Sequence, residues 1–279
     1  MVKSPNLFVV GAPRCGTTSL FAALKQHPDV YASVLKEPHF HAPDLPAQPH
    51  TVSDPDDYAR LFDAAGEQRI RTEASVWYLY SREAPARIAQ AHPDARIVVL
   101  LREPAQMAVS LYQLYLRTGN EADTDPESAL SRTAQTRFES SYFPFGLHYL
   151  HLLDFATPLA RWREHFPGER MRVVLFDEFY RAPEDGFRAL SEWLGIDPQA
   201  PISFDAGRAR EAVRTTAMKQ LRELPEHLRR KLNPQATRLH AGKSSVAIPD
   251  ALRARLRANA REVNAGFAAA AGRPWPEAW

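Results

Sequence analysis

Cysteine is nearly missing from this chain. Cys15 is the only one in 279 residues, so no intramolecular disulfide can form and a thiolate-rich zinc site is excluded. Such scarcity suits a reducing compartment. Long apolar runs are missing as well. The run from Leu7 to Val10 is too short for a signal-peptide core and leads into Gly-Ala-Pro-Arg, and no later stretch nears the roughly 20 apolar residues that cross a bilayer. The expectation is a soluble, cytoplasmic protein with no membrane partner. Nor does charge of one sign dominate. The formal net charge is +2, which offers no concentrated basic face of the kind nucleic acid requires, so any anionic partner must be held by a local site. Lysine is scarce beside arginine and alanine is abundant, a composition that fits a GC-rich bacterial genome.

What is present is the make-up of an ordinary globular protein, 44% hydrophobic and 24% charged, with enough chain to bury a substantial core. Residues 7–10, 30–33, 69–73, 96–101 and 171–176 read as strands, with 96–101 the clearest buried one. Helical patterns cover 17–26, 55–62, 84–91, 104–116, 126–139, 146–166, 183–194, 216–232 and 249–271. Residues 35–55 are rich in Pro, His and Asp without periodicity, which predicts a long irregular loop of the kind that often carries function. There are no internal repeats and no low-complexity linker. The expectation is one α/β domain over residues 1–279: a central parallel sheet flanked by helices, with a helical C-terminal part and ligands at the carboxyl ends of the strands.

The stretch FVVGAPRCGTTSL, residues 8–20, places Gly11 to Gly16 between the first strand and the first helix. Unpaired backbone N–H groups converge at such a turn, the helix dipole adds partial positive charge, and the two glycines let the backbone approach an anion closely. The G-x-x-x-x-G spacing matches the phosphate loop of nucleotide hydrolases, but that loop continues with Lys and then Ser or Thr. Here Thr17 and Thr18 follow Gly16, and the loop's one cation is Arg14.

GAPRCGTTSL resembles the 5′-phosphosulfate-binding loop of sulfotransferases that use 3′-phosphoadenosine 5′-phosphosulfate (PAPS), in particular bacterial and heparan-sulfate-type members. RIVVLLREPAQMAVSLY, residues 96–112, is similar to the same superfamily's 3′-phosphate motif. The resemblance implies a P-loop-like fold in which Arg14, Cys15, Gly16, Thr17, Thr18 and Ser19 hold the phosphosulfate end, and Arg102 and Ser110 the 3′-phosphate. A cofactor with anions at both ends of an adenosine needs two such sites, whereas ATP would explain only one. HAGKSSVAIP, residues 240–249, resembles the loop that closes over the adenosine. There Gly242 and Lys243 are candidates, with a plain surface turn as the alternative, and Arg214 is a further candidate.

Sulfuryl transfer needs an in-line nucleophile, a base for its proton and positive groups for the developing charge. Arg14 suits the last role electrostatically, because arginine does not readily give up a proton. LKEPHFH, residues 35–41, resembles the Lys-Glu-Pro-His-Phe segment of heparan-sulfate-type enzymes and implies Glu37 as the base on the acceptor side, with His39 as the other candidate. His39 and His41 without a clear third ligand make a poor metal site, and the resemblance implies metal-independent transfer. TEASVWYLY, residues 72–80, occupies the place of a family segment near the acceptor. Ala74 and Val76 stand where heparan-type enzymes carry Lys and Pro, which counts against a polyanionic sugar. Trp77 and Tyr78 are either acceptor walls or core aromatics.

The sequence thus points to a sulfuryl transferase acting on a hydroxyl, or an amine, of a small molecule or glycoside. A Mg-dependent nucleotide phosphotransferase is the alternative, weakened by the missing lysine at position 17. A non-catalytic nucleotide-binding module is the third reading.

Overall fold

A computed structural model of the chain describes residues 3–48, 50–132, 141, 143–204 and 246–279. The predicted strands form as β1 (Leu7–Gly11), β2 (Val30–Ala32), β3 (Ile70–Ala74), β4 (Arg96–Leu101) and β5 (Met171–Leu175). They make one sheet in the order β2-β3-β1-β4-β5, every pair parallel. Central parallel strands are covered on both faces and so carry continuous apolar runs. All of β1 is buried, and so are residues 97–101 of β4.

The strand order fixes where a ligand can bind. After β1 the chain moves outward to β2 and β3, and after β4 it moves the other way to β5, so neighbouring β1 and β4 send their connections to opposite sides. The crevice at their carboxyl ends is the topological switch point, where open parallel sheets bind ligands. Ala12 N–H donates to Leu100 O at 2.6 Å and ties the two strand ends together. From these ends start α1 (Thr17–Leu24) and α4 (Pro104–Thr118). Between them in sequence lie α2 (Pro55–Arg60), whose Asp54 cap accepts from Asp57 N–H at 2.9 Å, and α3 (Ala84–Ala91).

Two helical patterns are more broken than their periodicity predicts. The 146–166 pattern splits into a 3₁₀ turn Pro144–Leu147, a short helix Tyr149–Leu152 and a helix Ala156–His165. The 249–271 pattern splits into helices Asp250–Val263 and Phe267–Ala271. One buried side chain joins the break between Leu152 and Ala156 to the break after Val263. Asn264 Oδ1 accepts from Phe155 N–H (2.8 Å) and Ala156 N–H (2.9 Å), while its Nδ2 donates to Leu153 O (2.8 Å) and Ala260 O (2.7 Å). The freed backbone groups of both ends are satisfied by that amide, as buried polar groups must be. The last strand also stops one residue early, because Phe176 opens a helix Phe176–Arg181 rather than ending β5. The helix expected over 216–232 and part of that expected over 126–139 lie outside the described residues; Pro126–Leu130 is helical. No helix among the described residues is long and apolar enough to cross a membrane.

Candidate active site

The turn after β1 is shaped by its two glycines. A Cβ at Gly11 would stand 2.6 Å from Leu79 Cβ and 3.1 Å from Val76 O, so only glycine lets this strand end close against the 3₁₀ turn Val76–Tyr80. Gly16 caps α1 with φ +84°, a left-handed conformation that glycine adopts at no steric cost. Its Cβ would fall 2.4 Å from Tyr180 Cε2. Tyr180 O–H donates to Gly16 O at 2.7 Å and fixes the turn from behind. No side chain caps α1 and no acid lies in its first turn, which leaves the helix N-terminus available to an external anion.

The second motif is anchored as firmly. Glu103 caps α4, accepting from Ala105 N–H at 3.1 Å and Gln106 N–H at 3.0 Å. The preceding residue, Arg102, is thereby held at the end of β4. Its NH2 donates to Gln106 Oε1 at 3.0 Å, its guanidinium lies 4.8 Å from the centre of the Phe176 ring, and its buried Nε has no partner. A buried charged donor left unpaired is costly, and an acceptor atom entering here would relieve that cost.

The motifs meet in one cavity of about 470 Å³, lined by Arg14, Gly16, Thr17, Thr18 and Ser19 from the first and by Arg102 and Ser110 from the second. Arg14 Nε donates to Ser110 Oγ at 3.1 Å. Burial, followed by repulsion from Arg117 and Arg102, holds the Arg14 guanidinium below its ordinary pKa. Arg14, Arg102 and Arg117 lie close enough to repel one another, and such a cluster draws anions. Among the described residues, Glu37 is the only carboxylate lining the cavity.

Glu37 comes from the irregular 35–55 loop, whose backbone is pinned by Glu37 N–H to Ala74 O at 2.8 Å and by His39 N–H to Ser75 Oγ at 3.1 Å. Burial pushes the Glu37 pKa up, but the Lys36 charge, in direct contact with its Oε1, and the His39 ring outweigh it. The net result is a carboxyl well below the usual range. Glu37 is thus an ionised carboxylate with 29% of its side chain exposed, and its Oε2 lies 3.6 Å from His39 Nε2. Arg14, Glu37 and His39 all have positive φ, at 62°, 66° and 51°. Left-handed non-glycine residues cost conformational energy and gather at functional sites. Here they coincide with the three residues assigned to catalysis from sequence.

Other sequence candidates fall elsewhere. Cys15 is fully buried, with burial pushing its thiol up to about 12, and its Sγ contacts Pro13 O; only its backbone can serve the loop. Trp77 lines the cavity while packing 4.8 Å from Phe143. Tyr78 is fully buried and outside the cavity, and its hydroxyl accepts from His41 N–H at 3.1 Å. It therefore supports the 35–55 loop rather than walling an acceptor. Gly242, Lys243 and Arg214 lie outside the described residues.

Gln48, Leu111, Leu114, Tyr115 and Phe176 also line the cavity and were not legible as site residues. Leu114 lies one turn beyond Ser110 on the same face of α4, so a helical-face projection from Ser110 would have found it, whereas Leu111 and Tyr115 flank that face. The carboxyl-end rule applied to β5 would have found Phe176.

Residues 4–244 match the family model described as the sulfotransferase domain. A sulfotransferase from Alicyclobacillus acidocaldarius is 30% identical and superposes with a TM-score of 0.65, over 84% of this chain and 99% of that one. Heparan sulfate glucosamine 3-O-sulfotransferase 3A1 of mouse is 27% identical over 69% of this chain. The chain spans 46% of that curated relative. A mouse sulfotransferase solved in complex with PAP shares the fold, with a TM-score of 0.50 at 14% identity over 95% of this chain and 86% of that one. The chain belongs to the sulfotransferase domain family.

Proposed function

We propose that this chain transfers the sulfuryl group of PAPS to a hydroxyl, or an amine, of a small molecule or glycoside, with Glu37 as the base. The observation that carries the reading is that one cleft brings together the cationic groups of two motifs, which Arg14 joins through its bond to Ser110. Arg14 and the α1 N-terminus belong to one, and Arg102, with its buried unpartnered Nε, belongs to the other. A nucleotide with anions at both ends of an adenosine fits that arrangement, and a 5′-phosphorylated nucleoside alone does not use it. When bound, PAPS supplies an activated sulfuryl group on its 5′-phosphate.

Every other role falls to the chain. The amides and hydroxyls of Thr17, Thr18 and Ser19 suit the 5′ anion, and Arg102 with Ser110 suits the 3′-phosphate, the Arg14–Ser110 bond giving way on binding. Arg14 stabilises negative charge that develops on the bridging oxygen, as a preorganised cation does. Glu37, already ionised, accepts the proton of the attacking hydroxyl, and His39 orients that carboxylate through their 3.6 Å contact. Thr17 stands in place of the phosphate-loop lysine, which leaves a γ-phosphate without its usual cation and disfavours the phosphotransferase reading.

Glu37→Gln tests the assignment. We expect unchanged affinity for the desulfated product, 3′-phosphoadenosine 5′-phosphate (PAP), and turnover reduced about 10²- to 10⁴-fold, the usual contribution of a positioned base. Turnover at the wild-type level would remove Glu37 from that role.

A further inference from the structure

A second cavity of about 300 Å³ adjoins the first, and Gln48 and Trp77 line both. The partition also holds the catalytic pair, with Glu37 lining the first cavity and His39 the second. Gln48 Nε2 lies 3.2 Å from His39 Nε2, the nitrogen that approaches Glu37. A molecule in the second cavity therefore has one end beside His39, and past Gln48 and Trp77 the cavity opens toward the Glu37 carboxylate of the first, 3.6 Å from His39 Nε2.

Most of the wall comes from the 35–55 loop and most of it is apolar, chiefly Ala42, Pro43, Leu45, Pro46, Ala47 and Val52, with Gln48, Thr51 and Ser53 as its few hydroxyl and amide groups. Apolar side chains offer no hydrogen bonds to replace those that water makes to sugar hydroxyls or sulfates, and an unreplaced bond weakens binding. Among the described residues, Arg87 is the only permanently charged side chain lining this cavity, and it lies 3.7 Å from Glu83, which offsets its charge. His39 is 6% exposed and its Nδ1 has no hydrogen-bond partner. Mostly apolar walls with a few placed polar groups are the make-up of small-molecule sites, and the volume sits at the lower end of their roughly 300–1,000 Å³ range.

We propose that this second cavity is the acceptor site and that the acceptor is an apolar, ring-bearing alcohol or phenol. Its ring lies against Trp77, Leu45 and Ala47, and its hydroxyl reaches the Glu37–His39 pair. The inference rests on the sulfuryl-transfer reading and narrows its acceptor class. In the transfer, the acceptor oxygen forms a new O–S bond as the bond from sulfur to the 5′-phosphate oxygen breaks. That oxygen keeps the electron pair, and the hydroxyl proton passes to Glu37.

The probe is 2-naphthol, read in two ways: calorimetric binding to the protein saturated with PAP, and transfer of radiolabelled sulfur from PAPS. Ala47 is exposed at the cavity, so Ala47→Trp narrows it without entering the core. We expect 2-naphthol to bind and accept label, and Ala47→Trp to raise its Kd and KM at least about tenfold, the scale of a steric change in an apolar pocket. PAP affinity and melting temperature should match those of wild type. Label passing to a desulfated heparan oligosaccharide but not to 2-naphthol would overturn the apolar acceptor and leave sulfuryl transfer standing. Naphthol kinetics unchanged in Ala47→Trp would overturn the location. Failure of the wild-type protein to bind PAP would overturn the transfer reading and this inference with it.

Discussion

Replacing Arg102 by alanine should change the nucleotide preference of the cleft rather than its overall affinity. In the free protein its NH2 is held by Gln106, its face rests on Phe176 and its buried Nε is unpartnered. A 3′-phosphate would supply the missing acceptor. Hydrogen bonds to charged groups contribute about 1.5–3 kcal/mol, which at roughly 1.4 kcal/mol per decade corresponds to about a 10- to 150-fold loss of PAP affinity. AMP lacks the 3′-phosphate, so its affinity should change by less than about twofold. Calorimetric titration of both nucleotides into both proteins at one ionic strength isolates the 3′ contribution, because salt screens exposed charge in every arm alike. Arg102→Lys keeps the charge but loses the planar fork, and should fall between the two. Equal losses for PAP and AMP would refute the reasoning, since Arg102 would then stabilise the cleft generally and read no 3′-phosphate.

Three further outcomes follow from local geometry. Gly16→Ala forces an L side chain to φ +84° with its Cβ 2.4 Å from a tyrosine ring already hydrogen-bonded to the turn. The left-handed conformation alone costs about 1–2 kcal/mol, so we expect a melting point several degrees lower and weaker binding of PAP and AMP alike; a wild-type melting point would contradict this. Asn264→Ala removes the amide's hydrogen bonds to Phe155 N–H, Ala156 N–H and Leu153 O, while Ala260 O keeps the Asn264 N–H, and a loss of more than about 2 kcal/mol in denaturant unfolding is expected. A loss under about 0.5 kcal/mol would mean that water replaces the amide.

Glu73 is fully buried, and burial raises its pKa to about 7 despite the hydrogen bond from Tyr58 O–H at 2.6 Å. Its folded pKa exceeds the unfolded value, so the folded state binds the proton more tightly and stability falls as pH rises from about 4.5 through about 7. Glu73→Gln should melt above wild type at pH 8 and level with it below pH 4.5, the two curves separating across that window. Burial pulls His41 and His92 down to about 3 and about 4, so both proteins should lose stability together as pH falls below about 6.5. Parallel curves for the two proteins from pH 4.5 to 8 would contradict the Glu73 assignment.

The two motifs that line the cleft were legible because each is local in sequence. A strand, a glycine turn and a helix start within residues 7–24 make one, and a strand, Arg102 and a capped helix make the other. Their meeting was not legible, since it depends on β1 and β4 being neighbours in the sheet. Gln48 escaped notice because an irregular loop has no periodicity to aim a side chain. Tyr78 misled because a strand-end aromatic looks alike from sequence whether it walls a site or, as here, props a loop through its hydroxyl. Asn264 was invisible for the same reason that it matters: its four partners lie up to 111 residues away, while the helical period on either side runs straight through it.

The central claim is that one cleft holds a nucleotide by anions at both ends, and calorimetry on the wild-type protein tests it directly. PAP, AMP and ATP would each be titrated with and without Mg²⁺. PAP should bind at least about tenfold more tightly than AMP, the margin of one charged hydrogen bond, and should be indifferent to Mg²⁺. Equal binding of PAP and AMP, or tight binding only of Mg·ATP, would contradict the account.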